Sequence, residues 1–167
     1  MGTELLVDAF EQVRDGVHPA ANGLTPDELT WRPDAEANSI AWLVWHLTRV
    51  QDDQVAALSG RTQAWTDGGW LERFALPLDP ADTGYGHDPG TVGLVTADAR
   101  TLLDYFEDVH GRTLAYLDTL DDAGLARQVD GTRDPAVTVG GRLVAVVVDD
   151  LQHVGQAAYV RGLLQRR

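Results

Sequence analysis

The sequence predicts an all-α fold, a bundle of four long helices with a long Gly/Pro-rich insertion between the second and third. Three observations carry that prediction. Apolar residues recur at helical spacing over about 3–21, 39–59, 98–120 and 138–164. No pair of segments reads as convincing matched strands. Much of the glycine and proline falls in one stretch, residues 61–95. The 167 residues suit one domain, 1–167, since domains commonly run about 100–200 residues.

In the first helix Leu5, Leu6, Ala9, Phe10, Val13 and Val17 form the apolar stripe, and Pro19 is expected to end or kink it. Thr25-Pro26-Asp27-Glu28 then opens a short helix: Thr25 caps, Pro26 suits the first turn and Glu28 completes a capping box. The second long helix starts after Asn38-Ser39, buries Ile40, Leu43, Val44, Leu47 and Val50, and stops at Gly60. A structureless loop as long as 61–95 is uncommon in a compact domain and is usually functional or mobile. Trp65, Trp70, Phe74 and Tyr85 within it argue that it packs onto the rest of the chain. The third long helix carries Leu102, Leu103, Phe106, Val109, Thr113, Tyr116, Leu117 and Leu120 on its buried stripe, and Asp121-Asp122-Ala123-Gly124 begins a short turn or helix. Every residue from Leu143 to Val148 is apolar, so that run has no polar face and its valines also suit a strand. Helix is favoured because the pattern continues through Leu151, Val154, Ala157, Ala158 and Leu163 without a turn signal.

Composition excludes several functions. The formal net charge of −13 opposes a nucleic-acid backbone or an anionic membrane surface as the main partner. The absence of cysteine removes disulfides, thiolate metal sites and a catalytic thiol. All 13 basic residues are Arg, which removes Schiff-base chemistry and a P-loop lysine. Met1 to Phe10 lacks a basic start and an apolar core, so no signal peptide is evident, and no apolar run approaches the ~20 residues of a membrane span. A soluble, cytoplasmic protein is the expectation.

Two of the five histidines stand out. His46 lies within the strongly apolar Trp42-Leu43-Val44-Trp45-His46-Leu47, and His153 follows the valine run. Asp149 and His153 are four apart on one predicted helix, so both sit on one face. That pair either clasps a metal, with His46 as a third ligand from the second helix, or is an intrahelical hydrogen-bonded pair. Two histidines and a carboxylate leave coordination positions open, the layout of a catalytic rather than a structural site. Asp150 is rotated away from this face. Arg49 and Asp53, three and seven residues after His46, face the same side as candidates to support a ligand or meet the substrate, and Gln156 is placed to bond a ligand or His153. Arg142 is roughly 10 Å down the helix, too far for a ligand. His18 and His110 have no partners at ligand spacing, and His87 lies in the insertion near the expected site mouth.

Asn38-Ser39-Ile40-Ala41-Trp42-Leu43-Val44-Trp45-His46-Leu47 resembles the second helix of the DinB/YfiT-like superfamily. Asp149-Asp150-Leu151-Gln152-His153-Val154-Gly155-Gln156, with Tyr159-Val160-Arg161-Gly162, is similar to its last-helix signature, and Thr30-Trp31-Arg32-Pro33 matches as well. The resemblance spans nearly the whole chain. It implies an up-and-down four-helix bundle, often a homodimer, holding a divalent metal on three histidines. His46 matches the first ligand and His153 the third, while Asp149 stands where the family has a middle histidine. Members include mycothiol-dependent maleylpyruvate isomerase and bacillithiol transferases. The function implied is therefore a metal-dependent thiol transferase or isomerase acting on a small electrophile. Zinc or nickel is the leading metal, iron an alternative, and a mycothiol-type thiol the co-reactant. A non-catalytic bundle that has lost or repurposed the metal site is the alternative. A non-haem iron oxygenase, which uses the same two-histidine, one-carboxylate triad, is weaker because its usual scaffold differs.

Overall fold

The computed structural model describes residues 2–130 and 136–167, and the chain is mostly helical over them. Four long helices dominate: α1 (Gly2–Ala21), α3 (Ile40–Ser59), α7 (Ala99–Leu117) and α9 (Val139–Leu164). Short helices α2 (Pro26–Thr30), α4 (Ala64–Asp67), α5 (Trp70–Phe74), α6 (Pro89–Val92) and α8 (Asp122–Ala126) fill the connections. The long helices pack in a ring: α3 and α1 both rest on α9, and both rest on α7. Gly16 permits the close α1–α9 approach, because a Cβ there would stand 2.4 Å from Val154 Cγ1.

The helix ends follow local chemistry. Thr25 and Glu28 form the reciprocal capping box of α2. Ser39 accepts from the Trp42 N–H at the start of α3, and Gly60 closes it in the left-handed region at φ 67°. Asp98 and Thr138 cap α7 and α9 in the same manner as Ser39.

Pro19 sits in the last turn of α1, which ends two residues later at Ala21 as expected. Three expectations need correction. The third long helix ends at Leu117 rather than Leu120, its carbonyls passing into turns through Thr119 and Leu120. Strands are present: β1 (Gln128–Asp130) and β2 (Val137–Thr138) pair antiparallel with an irregular register. Two- and three-residue strands are too short to show a period of two in a sequence. The insertion is not structureless, because α4, α5 and α6 lie within it. The apolar run of α9 is helical, yet Val144 and Val148 are about half exposed. Its all-round apolarity therefore reflects a bare surface stripe as well as burial.

The insertion is fastened to the bundle by aromatic packing and one buried charge network. Trp65, Trp70 and Phe74 are buried around Tyr105 of α7, with ring centroids 5.4, 5.5 and 5.6 Å from it. Trp70 Nε1 donates to Asp108 at 2.8 Å. Asp52 accepts from the backbone N–H of Ala64 and Trp65 at 2.9 and 2.8 Å, and from the Tyr105 hydroxyl at 3.0 Å. Arg49 lies 3.7 Å from the same carboxylate and 4.9 Å over the Trp65 ring. Burial pushes the Asp52 carboxyl up, and these hydrogen bonds with Arg49 oppose the shift.

Replacing Asp52 by Ala is expected to destabilise the fold by about 3–5 kcal/mol, because it strands Arg49 in the interior. Urea denaturation of both proteins checks it; a change below about 0.5 kcal/mol, the size of an ordinary surface substitution, would contradict it.

Candidate metal centre

The α3 helix and the α9 helix pack directly on one another, and each brings ligand-type side chains to their shared face. His46, near the middle of the N-terminal half of α3, is buried; Asp149 and His153, one turn apart on α9, are partly exposed. One donor atom from each of the three lies within 4.8 Å of the others. The His46 and His153 rings meet nearly perpendicular, with centroids 4.7 Å apart.

The alternative of a simple hydrogen-bonded pair on α9 does not match this geometry. His153 Nε2 stands 3.7 Å from Asp149 Oδ1, beyond hydrogen-bond range, and the buried Asp149 Oδ2 has no partner. Nδ1 of His153 faces the Gln156 Oε1 at 3.0 Å. An amide oxygen only accepts, so Nδ1 is the donor in this contact, which in a neutral ring leaves the lone pair on Nε2. Nδ1 of His46 faces the Thr83 carbonyl at 2.5 Å and is protonated for the same reason. Burial is the main cause that pushes the His46 pKa down, with His153 adding to it, so the ring is neutral at pH 7. Two imidazoles and a carboxylate with donor atoms at this separation fit a divalent cation with coordination positions to spare.

The walls of the site are aromatic. Trp42 stacks on His46 at 4.5 Å and presents its edge to His153 at 6.1 Å. Tyr85, mostly exposed, stands edge-on to His46 at 5.2 Å. Partial burial first, then Asp149, Asp150 and Asp53, push its phenol up, so it is a hydrogen-bond donor at neutral pH.

The remaining sequence candidates sort by location. Gln156 contacts His153. Arg49 is fully buried and bonds the Asp82 carbonyl and the Gln63 amide, so it braces the insertion from behind and cannot meet a substrate. Asp53 accepts from Gln54 and Gln63 and is outside the ligand cluster. Asp150 is turned from the site into the core, with both oxygens buried and unpartnered, and burial with Asp149 beside it pushes its pKa far up. Arg142 bonds Gln54 at 3.2 Å. His87 does come to the site, but as a wall: Trp42 Nε1 donates to its Nδ1 at 3.0 Å, and its Nε2 meets Asp82 at 2.8 Å. His18 meets Glu107 and His110 meets Glu11. The sequence reading missed Asp82, Thr83 and Gly84; the only signal for them was the glycine density of residues 84–93.

A sequence model described as the DinB superfamily matches residues 9–157. A crystal structure described as a conserved protein of a locus from Enterococcus faecalis is 30% identical, covers 99% of this chain and 98% of its own, and superimposes with a TM-score of 0.91. No curated protein matches.

Zinc titration is expected to show one bound ion in the wild type. Asp149→Ala should weaken binding by more than about 100-fold, exceeding the cost of losing an outer-shell partner. Asp149→His should retain it, since imidazole and carboxylate reach zinc at similar distances. Affinity should fall at pH below the ordinary imidazole value near 6.5, because burial holds the His46 pKa beneath that value and a protonated ring cannot ligate. Equal binding by wild type and Asp149→Ala would remove Asp149 from the centre.

Proposed function

We propose that this chain, which belongs to the DinB superfamily, is a metal-dependent transferase or isomerase that joins a low-molecular-weight thiol of mycothiol type to a small electrophile. The observation that carries the reading is the His46–Asp149–His153 cluster, which presents three donors and leaves the rest of a coordination sphere open. A bound divalent cation, zinc or nickel before iron, favours thiolate over thiol at neutral pH. The chain has no cysteine, so the nucleophilic sulfur comes from outside.

The chain's own residues supply the rest. His46 is held neutral by burial, and the Nδ1 atoms of His46 and His153 are engaged by Thr83 and Gln156. Trp42 and Trp45 exclude water from one side. Tyr85 offers a phenolic proton at the exposed side, where a carbonyl or other electrophilic oxygen would accept it. A groove of about 500 Å³ beside Gln156, floored by Leu43, Val160 and Leu163, is large enough for the organic part of a thiol.

The reading takes the four packed helices as the up-and-down bundle of the superfamily. It places the protein in the cytoplasm, where such thiols stay reduced. Among the described residues no helix is long and apolar enough to cross a membrane. The reading includes a homodimer. A groove of about 390 Å³ between α1 and α9, lined by Leu5, Val144 and Val148 and almost without polar surface, is the face on which a second copy would sit. It offers contact without bringing further charge of a −13 chain together.

Metal-loaded protein given a panel of thiols with small electrophiles is expected to turn over with a mycothiol-type thiol, and Tyr85→Phe should slow it while leaving metal affinity unchanged. Metal binding without thiol binding or turnover would favour the non-catalytic bundle instead. Sedimentation should give twice 18.2 kDa for the wild type and 18.2 kDa for Val148→Glu. A wild type that stays at 18.2 kDa at all concentrations would overturn the dimer.

A further inference from the structure

The turn at Asp82–Gly84 touches the centre without contributing a ligand. Trp42, His46 and Arg49 lie four and three residues apart along α3, so they form one stripe, and the insertion binds all three. Arg49 Nε donates to the Asp82 carbonyl at 3.1 Å. The Thr83 carbonyl takes the His46 Nδ1 proton. Trp42 Nε1 donates to His87, whose other nitrogen meets the Asp82 carboxylate. That carboxylate also accepts from the Gly84 N–H at 2.8 Å, closing the turn on itself. Gly84 adopts φ 98°, and a Cβ there would stand 2.6 Å from His46 Nδ1 and 3.2 Å from both the Trp42 and Trp45 rings. The turn therefore has room for hydrogen alone at the point where it meets the ligand.

We propose that the Asp82–Gly84 turn of the insertion is the positioning element of the centre: it fixes His46 as an Nε2 donor and thereby sets the affinity for a divalent metal. This rests on the metal reading of His46, Asp149 and His153. A backbone carbonyl suits the task because it cannot donate, so it admits one tautomer of the ring. Arg49 and Asp82 are positioning residues; each acts on the metal only through the placement of Thr83.

The test uses the full chain, zinc as the probe and two readouts. One is zinc affinity by calorimetry. The other is the His46 tautomer in metal-free protein, from nitrogen-15 shifts of the ring. Wild type is expected to show Nδ1–H and a bare Nε2. Gly84→Ala is expected to lose that single tautomer and to bind zinc about 10–100-fold more weakly. Asp82→Ala, which opens the turn without a clash, should shift both readouts in the same direction and serves if Gly84→Ala does not fold. Gly69→Ala is the control: Gly69 lies in the same insertion at φ 74° with nothing within 4 Å of its would-be Cβ. It carries a similar backbone penalty and should leave both readouts at wild-type values. Wild-type affinity and tautomer in Gly84→Ala or Asp82→Ala would overturn the inference, as would an equal loss in Gly69→Ala. A wild type that takes no zinc while His46 shows Nδ1–H defeats the underlying metal reading, and the inference with it.

Discussion

Arg49 and Asp52 are charged side chains held almost entirely out of water on α3, a helix that is buried along most of its length. Burying such a pair is tolerable only when other groups complete its hydrogen bonds. Here the insertion supplies most of them: the Ala64 and Trp65 N–H groups, the Gln63 amide and the Asp82 carbonyl, with the Tyr105 hydroxyl from α7; Arg49 Nη2 has no hydrogen-bond partner among the described residues. The insertion is thus a requirement of the core, since removing it would strip this buried pair of most of its hydrogen bonds.

That constraint reaches the candidate centre directly. Arg49 holds Asp82, Asp82 shapes the turn, and the Thr83 carbonyl of that turn takes the His46 proton. The two candidate histidine ligands are then oriented by different means. His46 is buried and set by backbone from a distant part of the chain, whereas His153 is set locally by Gln156 one turn along α9. A carboxylate at Asp149 would reduce the charge of a divalent centre by one relative to three imidazoles. Among the described residues its Oδ2 has no hydrogen-bond partner.

The features legible in the sequence are those with a period or a fixed local chemistry. The capping box at Thr25 and Glu28, the Ser39 and Gly60 boundaries of α3 and the i, i+4 pair of Asp149 and His153 all have signatures within a few residues. His46 could be joined to that pair only through resemblance, because its contact with α9 spans a hundred residues. What escaped is long-range or backbone-borne. The Thr83 carbonyl has no side-chain signature, and Gly84 was one glycine among several. Arg49 looked like a substrate contact because helical spacing gives a face but not the depth at which that face lies. Asp150 was correctly turned from the ligands, yet its burial in the core required knowing what packs on α9.

The central claim is that one divalent ion is held between α3 and α9 by His46, Asp149 and His153. Anomalous diffraction from crystals of the protein grown with zinc, without a histidine tag or chelator, tests it most directly. The account predicts one strong peak at about 2.0–2.2 Å from Nε2 of His46, Nε2 of His153 and a carboxylate oxygen of Asp149. Zinc density confined to surface carboxylates, with these three side chains bare, would contradict it.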